Sequence, residues 1–171
     1  MNAAKNAAMY AAMSIALAAG DRTQSGPHIF LVAGEESGDR LGAALMPALA
    51  KKTQGRARFS GVGGQHMAEQ GLASLFPLGD LAIMGFSAIP ASLPKIIGRV
   101  REAAAAAVAA RPDVVVIIDS PEFTHRVARR VRAQAPSIPI VDYVSPSVWA
   151  WRPGGAPAIP GLLAPVLRLL P

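Results

Sequence analysis

Cysteine is absent from this chain of 171 residues, which excludes disulfide staples and thiolate metal sites. Its chemistry must rest on oxygen and nitrogen side chains. Aromatic residues make up 5% and charged residues 16%, against 51% apolar, the balance of an ordered globular body and not of a disordered chain. The length suits one domain with a proper core and is too short for two large ones. Long apolar runs are missing: Ala7 to Ala19 falls short of a bilayer span, and no other segment could cross one. The three histidines, His28, His66 and His125, are scattered. None has metal-ligand spacing with another histidine or carboxylate, so surface or cap roles are expected. Neither a Ser-His-Asp order nor a G-x-S-x-G elbow occurs, and both the G-x-G-x-x-G fingerprint and the G-K-[ST] of a P-loop are lacking.

Acidic residues are also in deficit, eleven against seventeen Lys and Arg, for a formal charge of +6. A basic balance attracts nucleic acid, phosphorylated small molecules or an anionic membrane face. No basic run is interleaved with aromatics, so no nucleic-acid partner is expected. Residues 1–27, rich in Ala and Met, differ from the rest and are read as a flexible or helical extension. Their apolar middle has the outline of a signal peptide, but the single Lys5 makes a poor positive start.

From His28 the pattern turns regular. "HIFLVAG", "ARFSGVGG", "DVVVIID" and "IPIVDYV" read as buried strands. Between them "RLGAALMPALAKK" carries a helical stripe at Leu41, Ala44, Leu45, Ala48 and Leu49, and "HMAEQGL" reads as a short helix. Leu93 to Ala110 reads as a helix, as does "SPEFTHRVARRVRAQ", with Ser120 as its expected N-cap and Pro121 in its first turn. Near the end "VLRLL" suits a further strand. Strands alternating with helices predict an α/β fold with a doubly wound, mostly parallel sheet over residues 28–171. Ligands of such sheets sit outside the carboxyl ends of the strands. That rule selects three loops: Gly34–Asp39, Asp119–Phe123 and Ser145–Trp151.

In the first loop, "AGEESGD", Ser37 with Gly38 behind it can offer backbone N–H groups to a phosphate, or the acidic residues can simply favour the helix dipole. In the second, Asp119 ends the most apolar strand. A carboxylate there is partly withdrawn from water, the setting of a general base, with Glu122 nearby; capping the next helix is the plainer role. The third holds both tryptophans, Trp149 and Trp151, in a chain poor in aromatics. Apolar residues also persist through "LAIMGFSAIPASLPKIIGR" despite Gly85, Pro90 and Pro94, with Lys95, Arg99 and Arg101 alongside. Such a segment suits a membrane interface or an acyl chain, or else is core with snorkelling cations.

Five blocks, "LVAGEESGDRLGAAL", "FSGVGGQHM", "LAIMGF", "PDVVVIIDSPEF" and above all "YVSPSVWAWRPG", resemble in order the amino-terminal half of the lipid-A-disaccharide synthase family. The resemblance implies the Rossmann-like amino-terminal domain of an inverting glycosyltransferase with two such domains (GT-B type), without the carboxyl-terminal domain that binds UDP. The family transfers 2,3-diacylglucosamine from its UDP conjugate to 2,3-diacylglucosamine 1-phosphate. The products are the β-1,6-linked lipid A disaccharide 1-phosphate and UDP, and no cofactor is implied. By the same resemblance Asp119 is the catalytic base. Glu35, Ser37, Gly38, Tyr143, Ser145, Ser147, Trp149 and Trp151 bind substrate, the two indoles helping to build a wall of the cleft. Met84, Phe86, Ile89, Leu93, Ile96 and Ile97 form an acyl or membrane patch. The implied location is cytoplasmic, peripheral on the anionic inner face of the inner membrane. A homodimer is expected only with the missing half, and the chain alone is expected to be inactive. Glu36, Ser120 and Glu122 depart from the family's usual "AGEASGD" and "DAPDF", and the prolines after Trp151 break its usual continuation. A non-catalytic lipid- or membrane-surface-binding module is the alternative reading.

Overall fold

The computed structural model describes residues 26–81, 89–143 and 166–167, with side chains over 26–81 and 94–143. His28–Ala33 (β1) leads to Glu36–Lys52 (α1), Arg58–Val62 (β2) and Gln65–Glu69 (α2). After a 3-10 turn at Leu78–Asp80 come Ile89–Ala110 (α3), Val114–Ile118 (β3), Pro121–Gln134 (α4), Ile140–Tyr143 (β4) and Val166–Leu167 (β5). The strands form one parallel sheet in the order β2-β1-β3-β4-β5, with Ala33 opposite Ile118 and Ile118 opposite Tyr143. This is a doubly wound α/β sheet.

β3 is buried at every residue because helices cover both faces. Its side chains alternate between two cores. Val115 and Ile117 join Phe30 and Val32 of β1 under α3 and α4, against Val100, Ala103, Ala104, Ala107, Phe123 and Val127. Val114, Val116 and Ile118 join Ile29 and Leu31 under α1, against Leu45, Met46 and Leu49. The alanines of α3 are small enough to let that helix lie close to the sheet.

Two helices differ from expectation. The buried stripe of α1 runs through Gly38, Asp39, Gly42, Leu45, Met46 and Leu49, while Ala44 faces out and Ala48 is half-buried. Alanines all around the helix blur its apolar face, so only the larger side chains mark it. Helix α3 begins at Ile89, four residues before Leu93, and continues through Pro94. Pro90 lies in the first turn, where the amide has no intrahelical partner to lose, so Pro94 alone removes one bond.

A buried carboxylate ties the first β-α-β unit together. Asp39, fully buried in the first turn of α1, accepts hydrogen bonds from the backbone N–H groups of Gly64, His66 and Met67 at 2.7–3.1 Å. Its Oδ2 also meets His66 Nδ1 at 3.0 Å. Burial alone would raise this carboxyl's pKa, but those donors outweigh it and hold the pKa below the ordinary value. A lowered carboxyl pKa contributes stability that is present above the unfolded value, about pH 4, and is lost as pH falls through the folded one. We expect Asp39→Ala to cost about 3 kcal/mol in urea unfolding at pH 7. The gap between variant and parent should shrink below about pH 4; a constant gap down to acid pH would show that the charge is not what stabilises this contact.

Candidate functional site

Chain direction sets the site. β1 hands the chain to α1 on one face of the sheet, and β3 hands it to α4 on the other. The two loops therefore part at the carboxyl ends of adjacent strands and leave a crevice between them. Side chains from both loops meet there. Ser37 Oγ donates to Asp119 Oδ2 at 2.7 Å and lies 3.1 Å from Glu35 Oε1. One hydroxyl carries one proton, so the two carboxylates compete for it, and the shorter contact is to Asp119. Oδ1 of Asp119 accepts the N–H of Ser120 at 2.9 Å.

The backbone that presents Asp119 is strained. Asp119 and Ser120 both adopt left-handed conformations, with φ of 54° and 47°, at roughly 1–3 kcal/mol each for residues other than glycine. Thr124 holds them there: its Oγ1 lies 2.8 Å from the carbonyl of Asp119 and 3.0 Å from that of Ser120, with its single proton shared between them. The amides of Phe123 and Thr124 also bond to the Ser120 carbonyl at 3.0 Å. Ser120 stands at the N-cap of α4, but its side chain makes no capping bond. The left-handed turn aims it at the β1–α1 loop, where a Cβ on Gly34 would lie 2.5 Å from Ser120 Cβ. Only glycine at position 34 leaves room for that loop.

The other expected site residues divide. Gly38 is buried, with a Cβ there falling 2.9 Å from the Ile118 carbonyl, so α1 begins pressed against the end of β3. Tyr143 is 6% exposed and packs in the core under α1, where burial raises its phenol pKa. Glu122 is exposed and pairs with Arg126 along its own helix at 3.4 Å. Ile96 and Ile97 are half-buried. Lys95 and Arg99 both bind Asp80, Lys95 at 2.8 Å. The hydrogen bonds from Lys95 and then Arg99 hold the Asp80 carboxyl below its usual pKa. Ser145, Ser147, Trp149, Trp151, Met84 and Phe86 lie outside the described residues, as do the side chains of Ile89 and Leu93. No helix among the described residues is long and apolar enough to cross a membrane.

Two histidine–carboxylate pairs escaped the sequence reading. His66 meets Asp39 as described, and Glu36 Oε1 lies 3.7 Å from the same ring nitrogen. His125 Nε2 meets Oδ2 of Asp142 at 3.1 Å, and Asp142 is 2% exposed. A lone carboxylate inside the apolar run "IPIVDYV" was the available signal, since a buried charge requires a partner.

Residues 29–171 match the family described as lipid-A-disaccharide synthetase. The lipid-A-disaccharide synthase of Nitrobacter hamburgensis is 59% identical over 155 residues, 91% of this chain and 39% of that protein. That of Rhodopseudomonas palustris is 58% identical over 159 residues, 93% and 40%. That of Nitrobacter winogradskyi is 62% identical over 143 residues, 84% and 36%. The chain thus spans about two fifths of the length of these curated relatives.

Gly34→Ala should destabilise the chain by about 1–3 kcal/mol through the clash with Ser120. Gly79→Ala, with nothing within 4 Å of the added Cβ, serves as the control. Equal melting temperatures for the two variants would mean that the two loops do not need their close contact.

Proposed function

The chain belongs to the lipid-A-disaccharide synthase family, and we propose that it forms the acceptor side of an inverting glycosyltransferase. The reaction transfers 2,3-diacylglucosamine from its UDP conjugate to the 6-hydroxyl of 2,3-diacylglucosamine 1-phosphate. The observation that carries this reading is the Ser37–Asp119 contact across the crevice between β1 and β3. Asp119 Oδ2 takes the proton of the acceptor hydroxyl as that oxygen attacks the anomeric carbon, and the carbon–oxygen bond to UDP breaks with its electron pair leaving on the nucleotide. Attack from the face opposite the leaving group inverts the anomeric centre. Ser37 holds Oδ2 until the acceptor arrives, and its hydroxyl then turns to Glu35, 3.1 Å away. Backbone strain at 119–120 supports this role, because strained residues gather where a side chain must be aimed.

The portion of the relatives beyond this segment supplies the UDP site, and the enzyme works as a peripheral protein on the inner face of the inner membrane. A non-catalytic surface-binding module fits less well. Two of the cations that would face anionic lipid, Lys95 and Arg99, are engaged by Asp80, and such a module leaves the Ser37–Asp119 contact without a role.

The test is a chimera in which residues 29–143 of this chain replace the aligned part of the Nitrobacter hamburgensis synthase. Asp119→Asn should lower turnover by about 10²–10⁴-fold with KM for the acceptor little changed. Ser37→Ala should cost about tenfold. Near-parental turnover in the Asp119 variant removes it as the base. The purified 171-residue chain should release no UDP from the donor, and measurable release would place the donor site within it.

A further inference from the structure

A second cavity opens on the same rim of the sheet, two strands from Asp119 with β1 between. It measures about 570 Å³ and lies between the end of β2, α2 and the segment leading into the 3-10 turn. That volume falls within the roughly 300–1,000 Å³ of small-molecule sites. Its lining is divided by polarity. Glu36, Gln65 and Ser74 supply polar groups, and Leu75, Phe76 and Leu78 supply an apolar wall. Leu75 is 40% exposed, the one exposed large hydrophobic side chain among the described residues.

The wall is built to stay open. Gly61 in β2 takes φ 133°, and a Cβ there would strike the Leu31 carbonyl, so glycine is required where β2 meets β1. The Gly61 carbonyl then accepts the N–H of Leu75 at 3.0 Å, and Ser74 Oγ accepts the N–H of Gly63 at 3.1 Å and donates to the Phe76 carbonyl at 2.7 Å. Phe76 itself turns inward, edge-on to Phe123 with ring centres 6.4 Å apart, under the guanidinium of Arg99 at 4.7 Å. With Phe76 as anchor, Leu75 is left facing water.

Two links tie the cavity to the loops that carry Ser37 and Asp119. Glu36 at its mouth sits between Glu35 and Ser37, and Arg40 at 3.2 Å and His66 at 3.7 Å fix its carboxylate. Phe76 on its wall touches Phe123 in the first turn of the helix that follows Asp119. We propose that this cavity is an acyl subsite: it takes one fatty chain of a lipid-linked sugar along Leu75 and Leu78, while Glu36 accepts a hydrogen bond from the sugar's hydroxyl or amide. The inference rests on the glycosyltransferase reading for its substrate class. It assigns the chain to residues 74–79, apart from the apolar segment ending at Ile97.

The test uses the full 171-residue chain and octyl, decyl and dodecyl glucosides below their micelle concentrations, with affinity read by NMR titration. Each added pair of methylenes should tighten binding by about fivefold, less than full burial gives because the cavity is open on one side. Leu75→Gln, at an exposed position that tolerates a polar side chain, should abolish that dependence on chain length. Glu36→Gln should weaken all three ligands alike by about threefold. Binding by the parent without chain-length dependence, or a Leu75→Gln chain that keeps it, overturns the subsite. A concentration-dependent dimer that Leu75→Gln dissolves would give the cavity to a second copy and overturns it as well. Turnover of the Asp119→Asn chimera reads the reaction and not this cavity, so either proposal can fail alone.

Discussion

Two neighbouring strands that send the chain to opposite faces of one sheet cannot share a covering helix, and the gap this leaves must be closed by side chains. In this protein a serine and a carboxylate close it. Ser37 comes from the first turn of α1 and Asp119 from the end of β3, and they meet at 2.7 Å. Their meeting requires both loops to approach without a side chain between them, hence Gly34 against Ser120 and Gly38 against the Ile118 carbonyl. The apolar strands on either side supply the rigidity. A packed interior does not yield by the fraction of an ångström that would separate such groups.

The left-handed pair at 119–120 shows how local discomfort is offset. Neither residue is glycine, so each is held against its own preference by neighbours. Thr124 does much of this, bonding to both carbonyls from inside the helix. Its hydroxyl proton is shared between the carbonyl of Asp119 and that of Ser120, which also accepts the amides of Phe123 and Thr124. The result is a carboxylate with one oxygen fixed by a backbone amide and the other turned to the crevice.

Strands were the most legible part of the chain. "DVVVIID" and "HIFLVAG" are apolar without alternation, which two covered faces demand. The rim rule for parallel sheets then selected the loops carrying Ser37 and Asp119, although nothing in the sequence showed that they would touch. Helix faces were harder. Ala44 and Ala48 counted as apolar in α1, yet Gly42 and Met46 take the buried side, because alanine is at ease in either setting. The cations near Ile96 read as facing a membrane interface or snorkelling over core, but the partner of Lys95 and Arg99, Asp80, lies fifteen residues before Lys95 and is brought there by the 3-10 turn. Asp142 and His125 were missed for the same reason: their link is made across the chain, between β4 and α4.

The order of the strands also bears on time. β1 lies near the centre of the sheet but is the first of the described strands to be made, and one of its two neighbours, β3, is joined to it by contacts that span 85 residues, such as His28 N–H to Asp113. Until β3 has left the ribosome, one edge of the most apolar early strand stands unpaired. Non-local pairings of this kind form slowly, and unpaired edges invite the wrong partner. The arrangement that brings Ser37 and Asp119 together thus leaves the growing chain with an unpaired apolar edge until β3 has been made.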